Sequence, residues 1–449
     1  MNDKIKKRVA QLSEDGRLME LLRGSSFVLL FKILGALSGY AFTILVFRWA
    51  GKGGYGVFEL AFTALTLITV LARLGLESAI VKYISGYMVT KEYGKAVRIY
   101  QFSFWIILAL SIALGAGLFF FATPLSSFFD GQDLSEAFQW AALAIPAYSI
   151  LQLNGETLRG LKRMKEFSYL QNGTLMLMAT MVFWLWFDRD LANGVAAVKA
   201  YVGAVYFLTI FSFYYLRTAY VKDLGSPAIL PVGRRGVISS AIPMMISGSM
   251  FLVMSWTDTL MIGHFMTDAD VGLYRFVFKM ATLITFAQFA INSIVAPMIS
   301  GFMADKNIPG LRRIIHQIGL INLVMSLPIF LIFALFPEWI LNTAGDGDMS
   351  DGVTVFVILA IGQVVNALCG PVMYTLNMSG HEKVSQRIML WTATLNLVAN
   401  LLLIPRYGIL GAAVATTVSM MIWNIVASFK VYQFFQVVTL PIPWKWRRK

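Results

Sequence analysis

Cysteine, histidine and charge are all scarce in this chain of 449 residues, and each scarcity excludes something. A lone thiol, Cys369, can form neither an intrachain disulfide nor a thiolate metal cage. The three histidines, His264, His316 and His381, stand far apart without a carboxylate-rich motif around them. Neither a Walker A sequence nor a GxSxG elbow occurs, so hydrolytic chemistry has no machinery, and the expectation is no catalytic residues, no bound metal and no enzyme. Charged residues make up 14% of the chain, against about 25% in soluble domains. A surface made of so few charges does not keep a protein of this size in water.

What the chain has instead is hydrophobic residues, 58% of the total, with a mean hydropathy of +0.69. Apolar runs of roughly 20 residues recur from Phe27 to Tyr432, each long enough to cross the hydrocarbon of a bilayer. Two-residue alternation is nowhere sustained, which excludes a transmembrane barrel. The first run begins near Ser25 without a small-residue cleavage site, so it is expected to be a retained helix rather than a signal peptide. The fold class is therefore an all-α polytopic membrane protein.

Hydropathy marks twelve runs, at 26–48, 57–80, 99–122, 137–158, 168–187, 191–217, 237–263, 272–298, 315–336, 353–378, 386–404 and 408–432. Basic residues resist translocation and collect on the cytoplasmic side. Of the 37 Lys and Arg, 28 fall in one alternate set of segments, which includes both termini, and only Lys52, Arg189 and Arg406 fall in the other. Asp130, Asp133, Glu136, Asp268, Asp270, Glu338, Asp346, Asp348 and Asp351 lie on that second side. Both termini are thus expected in the cytoplasm, with the protein in the cell membrane. The net charge of +13 then reflects this bias and contact with anionic lipids rather than nucleic-acid binding.

An internal repeat divides the chain. A shift of 216 sets Gly56-Val-Phe58 on Gly272-Leu-Tyr274, Phe62 on Phe278, and Thr66-Leu-Ile-Thr69 on Thr282-Leu-Ile-Thr285. A shift of 217 sets Gly194-Val-Ala-Ala on Gly411-Ala-Ala-Val, and 218 to 220 sets Thr157-Leu158 on Thr375-Leu376 and Gly160 on Gly380. Six spans per half is an even number, so the halves keep one orientation and are related by an axis along the membrane normal. The expected organisation is two six-helix lobes around a central cavity: an N-lobe at 1–217, a linker at 218–236 with Pro227, Pro231 and Gly233, a C-lobe at 237–432 and a basic cytoplasmic tail at 433–449.

Ionisable groups inside spans are expensive and face a bundle interior or a water-filled cavity, which makes them functional candidates. Ten qualify: Lys32, Arg48, Glu59, Arg73, Glu77, Glu156, Lys199, Asp258, Arg275 and Lys279. Span lengths put Arg73 and Lys199 well inside the hydrocarbon. Arg73 and Glu77, four apart, can neutralise each other, whereas Arg275 and Lys279, also four apart, need an anion, for which Asp258 is one internal candidate. Surplus positive charge in a cavity suits a phosphate or pyrophosphate. Asn396 and Asn400 share a face of span 11, suited to a sugar or to packing.

Several stretches together resemble the polysaccharide-unit flippases, the Wzx-like branch of the multidrug/oligosaccharidyl-lipid/polysaccharide exporter superfamily. They are Gly54-Tyr-Gly-Val-Phe, Leu74-Gly-Leu-Glu-Ser-Ala-Ile, Arg159-Gly-Leu-Lys-Arg, Asp258 with Val271-Gly-Leu-Tyr, and above all the segment from Leu395 to Thr416. The resemblance covers essentially the whole chain. It implies a MATE-like, two-lobed transporter that moves a polyprenyl-pyrophosphate-linked oligosaccharide to the outer leaflet by alternating access. It also implies a place beside the polymerase and glycosyltransferases of a surface-polysaccharide pathway. By residue type, Arg73, Lys199, Arg275 and Lys279 take the pyrophosphate, and Asp258, Glu59 and Glu77 take coupling or gating, with H+ or Na+ as the coupling ion and no other cofactor. The alternatives are a cation-coupled exporter of drugs or metabolites, which calls for an acidic cavity, and a glycan polymerase, which calls for basic residues in a large outer loop.

Overall fold

The computed structural model describes residues 16–129, 133–171, 173–186, 193–221, 234–286, 306–345 and 349–439, with 288, 291, 295, 298, 299, 302, 303 and 347 between them. The described residues are almost wholly helical and include no strand. In chain order the helices are α1 (Gly16–Arg73), α2 (Leu76–Thr90), α3 (Tyr93–Phe120), α4 (Ala122–Ser126), α5 (Ser135–Gly160), α6 (Met164–Gln171), α7 (Thr174–Trp186) and α8 (Gly194–Ala219). The second half follows with α9 (Arg234–Phe265), α10 (Asp268–Ala281), α11 (Ile308–Leu335), α12 (Pro337–Gly345), α13 (Ser350–Cys369), α14 (Val372–Met378) and α15 (Glu382–Phe435).

Within the described residues, each of the twelve hydropathy runs is mostly helix, but the joints differ from the simple expectation. Spans 1 and 2 are fused in α1 across Gly51, whose φ of 72° and ψ of −178° suit glycine alone. Spans 11 and 12 are fused in α15 across Gly408, at φ 58° and ψ −139°. Span 2 is itself interrupted where Leu74 and Gly75 take positive φ, so the run to residue 80 is completed by α2. Span 5 is two helices, α6 and α7, and span 8 passes from α10 into a 3-10 turn at Thr282–Thr285. Six helices of the described chain are long and apolar enough to cross a membrane, α15 and the stretch Leu30–Arg73 of α1 among them, and each of those two carries a pair of runs. Large apolar side chains stand on the outside, with Trp391 77% and Val324 69% exposed, as a lipid-facing surface requires. This is a multi-pass membrane protein.

Packing divides by depth. At the end bearing the acidic loops, side chains from both halves share one core, from Phe42, Phe58 and Phe138 to Tyr274, Phe276 and Phe356. At the basic end the cores separate. One is built from first-half residues such as Ile80, Ile99 and Leu153, joined by Val237 and Ala241 at the start of α9. The other uses second-half residues only, among them Ile315, Leu376 and Val431.

Of the expected linker, residues 222–233 lie outside the described residues, as do the basic residues of the expected tail beyond residue 439. The first part of that tail does not leave the protein. α15 continues to Phe435, Gln436 turns the chain at φ 52°, and Val437 and Thr439 are buried, with Oγ1 of Thr439 donating to Ser428 Oγ at 3.1 Å.

Candidate functional site

The two halves meet most intimately where the second segment of α1 crosses α10. Gly56 and Gly272, one repeat apart, face each other there. A Cβ on Gly56 would overlap the Asp268 carbonyl, and one on Gly272 would overlap the Lys52 carbonyl, which is 216 residues before Asp268. The crossing is therefore reciprocal, and the local two-fold relation runs through it. Phe47 and Phe276 stack beside it with centroids 3.9 Å apart.

One turn deeper, the symmetry ends in opposite charges. Glu59 and Arg275, again 216 apart, form an ion pair with Nε 2.9 Å from Oε2. Tyr55 donates its hydroxyl to Oε1 of Glu59 at 2.5 Å, and Arg275 reaches Ser255 Oγ with Nη1 at 3.2 Å. Asp258 is thus not the partner of Arg275; the carboxylate at the matching repeat position is nearer and takes it. Lys279, one further turn along α10, has no carboxylate partner among the described residues. Its ammonium lies 5.0 Å from the centre of the Tyr40 ring, against the backbone of Gly39. Tyr40 in turn shares a hydrogen with Thr282 at 2.8 Å. Glu59, Arg275 and Lys279 together carry one unmatched positive charge in the interior of the protein, which favours an anion.

A second set surrounds Asp258, which is 3% exposed on α9. Its Oδ2 accepts from Thr416 at 2.6 Å and from the Tyr274 hydroxyl at 2.9 Å, and its Oδ1 accepts from Asn400 Nδ2 at 2.6 Å. Asn400 also donates to Asn396 Oδ1 at 3.2 Å, while Asn400 Oδ1 and Asn396 Nδ2 are buried without a partner. The carboxylate is held by neutral donors alone. Among the described residues no three of His, Cys, Asp and Glu gather as a metal site. The oxygens here come from one carboxylate, two amides and two hydroxyls, a donor set that suits a hard monovalent cation or a proton rather than a transition metal.

The remaining candidates stand apart. Arg73 is fourteen residues beyond Glu59 on the same helix, about 21 Å away. It pairs with Glu77 at 3.6 Å, but across the Leu74–Gly75 break between α1 and α2 rather than along the single helix face expected from the spacing, and its Nε donates to the Thr69 carbonyl at 3.0 Å. Glu156 and Arg159 pair at 2.7 Å. Lys199 is not deep: α8 begins at Gly194, and the ammonium pairs at 2.7 Å with the half-exposed Glu136 and sits 5.4 Å from the Trp140 ring. Arg48 caps the carbonyls of Thr343 and Ala344. Sequence reasoning missed Tyr40, Tyr55, Ser255, Tyr274 and Thr416, whose hydroxyl-bearing side chains carry no charge to betray them.

A crossed pair of six-span halves with charged groups at their contact defines a MATE-like membrane transporter. Residues 21–303 match the polysaccharide biosynthesis protein family, and residues 243–402 match the MatE family. The first match takes in more than half of the chain, which belongs to the polysaccharide biosynthesis protein family and is a flippase-type transporter of the MOP superfamily. The chain is similar to the probable low-salt glycan biosynthesis flippase of Haloferax volcanii, 24% identical over 93% of this chain and 85% of that one. In fold it is similar to a multidrug resistance MATE family transporter solved in an inward-facing conformation. The TM-score is 0.70 at 15% identity, over 91% of this chain and 98% of the other. It is also similar to the lipid II flippase MurJ in an inward closed conformation, with a TM-score of 0.69 at 11% identity over 91% and 87%.

Proposed function

We propose that this flippase carries a polyprenyl-pyrophosphate-linked oligosaccharide from the inner to the outer leaflet of the cytoplasmic membrane, for surface polysaccharide synthesis. The observation that carries the reading is the unmatched positive charge where the two halves meet. Lys279 has no carboxylate partner among the described residues and Arg275 is paired with Glu59, so the site accepts an anion and repels the cationic substrates of a drug exporter. The sugar stays in the polar interior and the polyprenyl tail stays in lipid. By the bias of basic residues, the basic end and both termini face the cytoplasm and anionic lipids. Arg73, about 21 Å from Glu59 toward that end, would meet the headgroup on entry. The N-lobe (1–217) and C-lobe (237–432) move against each other about the Gly56–Gly272 crossing. The pathway polymerase and glycosyltransferases act on either side of this step.

Coupling to an ion gradient belongs to Asp258. Asn400 Oδ1 is buried without a hydrogen-bond partner beside a carboxylate that neutral donors hold, and the residues present fit Na+ or H+. Asp258, Asn396, Asn400 and Thr416 would hold the ion, whose gradient supplies the drive for the conformational cycle. Glu77, paired with Arg73, is kept to gating at the basic end.

The test is headgroup translocation of a fluorescent polyprenyl-pyrophosphate oligosaccharide in proteoliposomes. Wild type flips it, Lys279→Ala and Arg275→Ala lose at least about tenfold in rate, a barrier change of 1.4 kcal/mol, and an imposed Na+ or H+ gradient changes the rate only with Asp258 present. Expulsion of organic cations without lipid flipping would overturn the reading in favour of an exporter.

A further inference from the structure

The ion pair between the halves occupies the very group that the substrate needs. Arg275 offers the bidentate guanidinium suited to a phosphate, yet its Nε is held by Glu59 at 2.9 Å. Its Nη1 is on Ser255, so each bidentate edge of the guanidinium has one N–H engaged, and a phosphate that grips Arg275 by the Nε edge must displace Glu59. Glu59 does not depend on Arg275 for all its contacts, because Tyr55 donates to its other oxygen at 2.5 Å. A carboxylate so anchored can release the guanidinium without being left bare. Lys279, one turn away and beside the Tyr40 face, supplies a second cation to any anion that arrives.

Resting on the flippase reading above, we infer that Glu59 is the resident counter-ion of Arg275, exchanged for the substrate's diphosphate, and that this exchange releases the contact between the halves at the acidic end. The Glu59–Arg275 pair ties α1 to α10 one turn below the Gly56–Gly272 crossing. A second ion pair between the halves, Lys52–Asp351 at 4.0 Å, has a carboxylate that is 79% exposed, so it contributes little. Once the diphosphate takes Arg275, the crossing loses this buried tie. The same exchange selects the cargo. A phospholipid with a single negative charge replaces Glu59 one for one and gains nothing, whereas a diphosphate neutralises Arg275 and Lys279 together. The membrane's abundant lipids are thereby refused and the gate stays shut until a diphosphate enters.

The experiment uses the full chain in lipid nanodiscs, in a Cys369→Ser background with spin labels on Thr123→Cys and Glu338→Cys, exposed positions on the short helices α4 and α12 at the acidic end of the two halves. Probes are a polyprenyl-diphosphate oligosaccharide and phosphatidylglycerol. In wild type the diphosphate lipid lengthens the label distance and binds at least about tenfold more tightly than phosphatidylglycerol. Glu59→Gln shows the longer distance without lipid and loses most of that preference. The double exchange Glu59→Arg with Arg275→Glu restores the tie, keeping the short distance, and no longer responds to lipid, which guards against misfolding as the cause. A Glu59→Gln protein with wild-type distance and wild-type preference overturns the latch. If wild type itself binds no diphosphate lipid, the proposed cargo fails instead.

Discussion

Positions 42, 58 and 183 in the first half and 258, 274 and 400 in the second are related by the repeat shift of 216 to 217 residues, yet they hold opposite chemistry. In the first half Phe42 meets Phe58 edge-on with centroids 5.0 Å apart, and Phe183 at 6.3 Å. In the second, Asp258 accepts from Tyr274 at 2.9 Å and from Asn400 at 2.6 Å. Corresponding side chains touch in both halves, so the helices are arranged alike. The lesson is that this arrangement does not require a carboxylate. Three phenylalanines fill the same place with dispersion and no desolvation cost, and apolar replacement of a buried polar group is often neutral or stabilising. The polar set in the second half is therefore retained for something other than packing, which is the argument for assigning ion coupling to Asp258 rather than to its aromatic counterpart.

The largest way to break this comparison is Asp258→Ala. It strands the Tyr274 and Thr416 hydroxyls and the Asn400 amide without their acceptor, costing on the order of 5 kcal/mol in thermal or denaturant stability. Gradient-driven flipping by the surviving folded protein falls to background. Phe42→Ala opens a cavity instead and costs about 3 kcal/mol by the same stability measurement, but flipping per folded molecule stays at the wild-type level. If Phe42→Ala abolished flipping in folded protein, the two halves would not be divided into packing and chemistry.

Exchanging one hydroxyl sharpens the same point. Phe58→Tyr adds a buried hydroxyl beside Phe42, whose ring is no match for the Asp258 carboxylate that the corresponding Tyr274 meets, for a loss of about 2 kcal/mol. Tyr274→Phe removes one of three donors from Asp258, for about 1 kcal/mol and a shift of the Na+ or H+ dependence of transport. Melting midpoints of the two variants and their ion-titration curves separate these outcomes: the first variant moves only the midpoint, the second both.

Much of the architecture is legible in the sequence because the bilayer imposes it. Span length and hydropathy locate twelve runs, and the repeat shift predicts like-oriented halves. The joints were less legible: nothing in a hydropathy profile says that Gly51 and Gly408 break a helix without a loop, or that Leu74 and Gly75 interrupt one. The site was legible in parts. The nearness of Arg73 and Glu77 in sequence pointed to their pairing, though not to the helix break across which they meet, and the like charges of Arg275 and Lys279 pointed to an anion. That Glu59 meets Arg275 is not a spacing effect, since it depends on where two helices cross. The signal was nonetheless present, because the same shift of 216 that sets Gly56 on Gly272 sets Glu59 on Arg275. Residues related by a two-fold axis and lying near it touch each other. Asn396 and Asn400, four apart on one face, marked a polar stripe, but its partner, Asp258, lies on a distant span.

Lys199 gives the smallest effect and discriminates the interior site from the rim. Its ammonium pairs with Glu136, whose side chain is 56% exposed, and exposed pairs contribute at most about 1 kcal/mol. Lys199→Gln should therefore lower stability by about 0.5 kcal/mol or less and leave flipping within about twofold of wild type. Lys279→Gln removes the charge that no carboxylate offsets, so its cost falls on transport. Titrating salt makes the distinction quantitative. An exposed pair is screened over a Debye length of about 8 Å at 0.15 M, so any effect of Lys199→Gln disappears as ionic strength rises, while that of Lys279→Gln, shielded inside the protein, persists. A salt-independent loss at Lys199 would mean that α8 rotates its second turn inward during transport and that the anion path runs past Trp140.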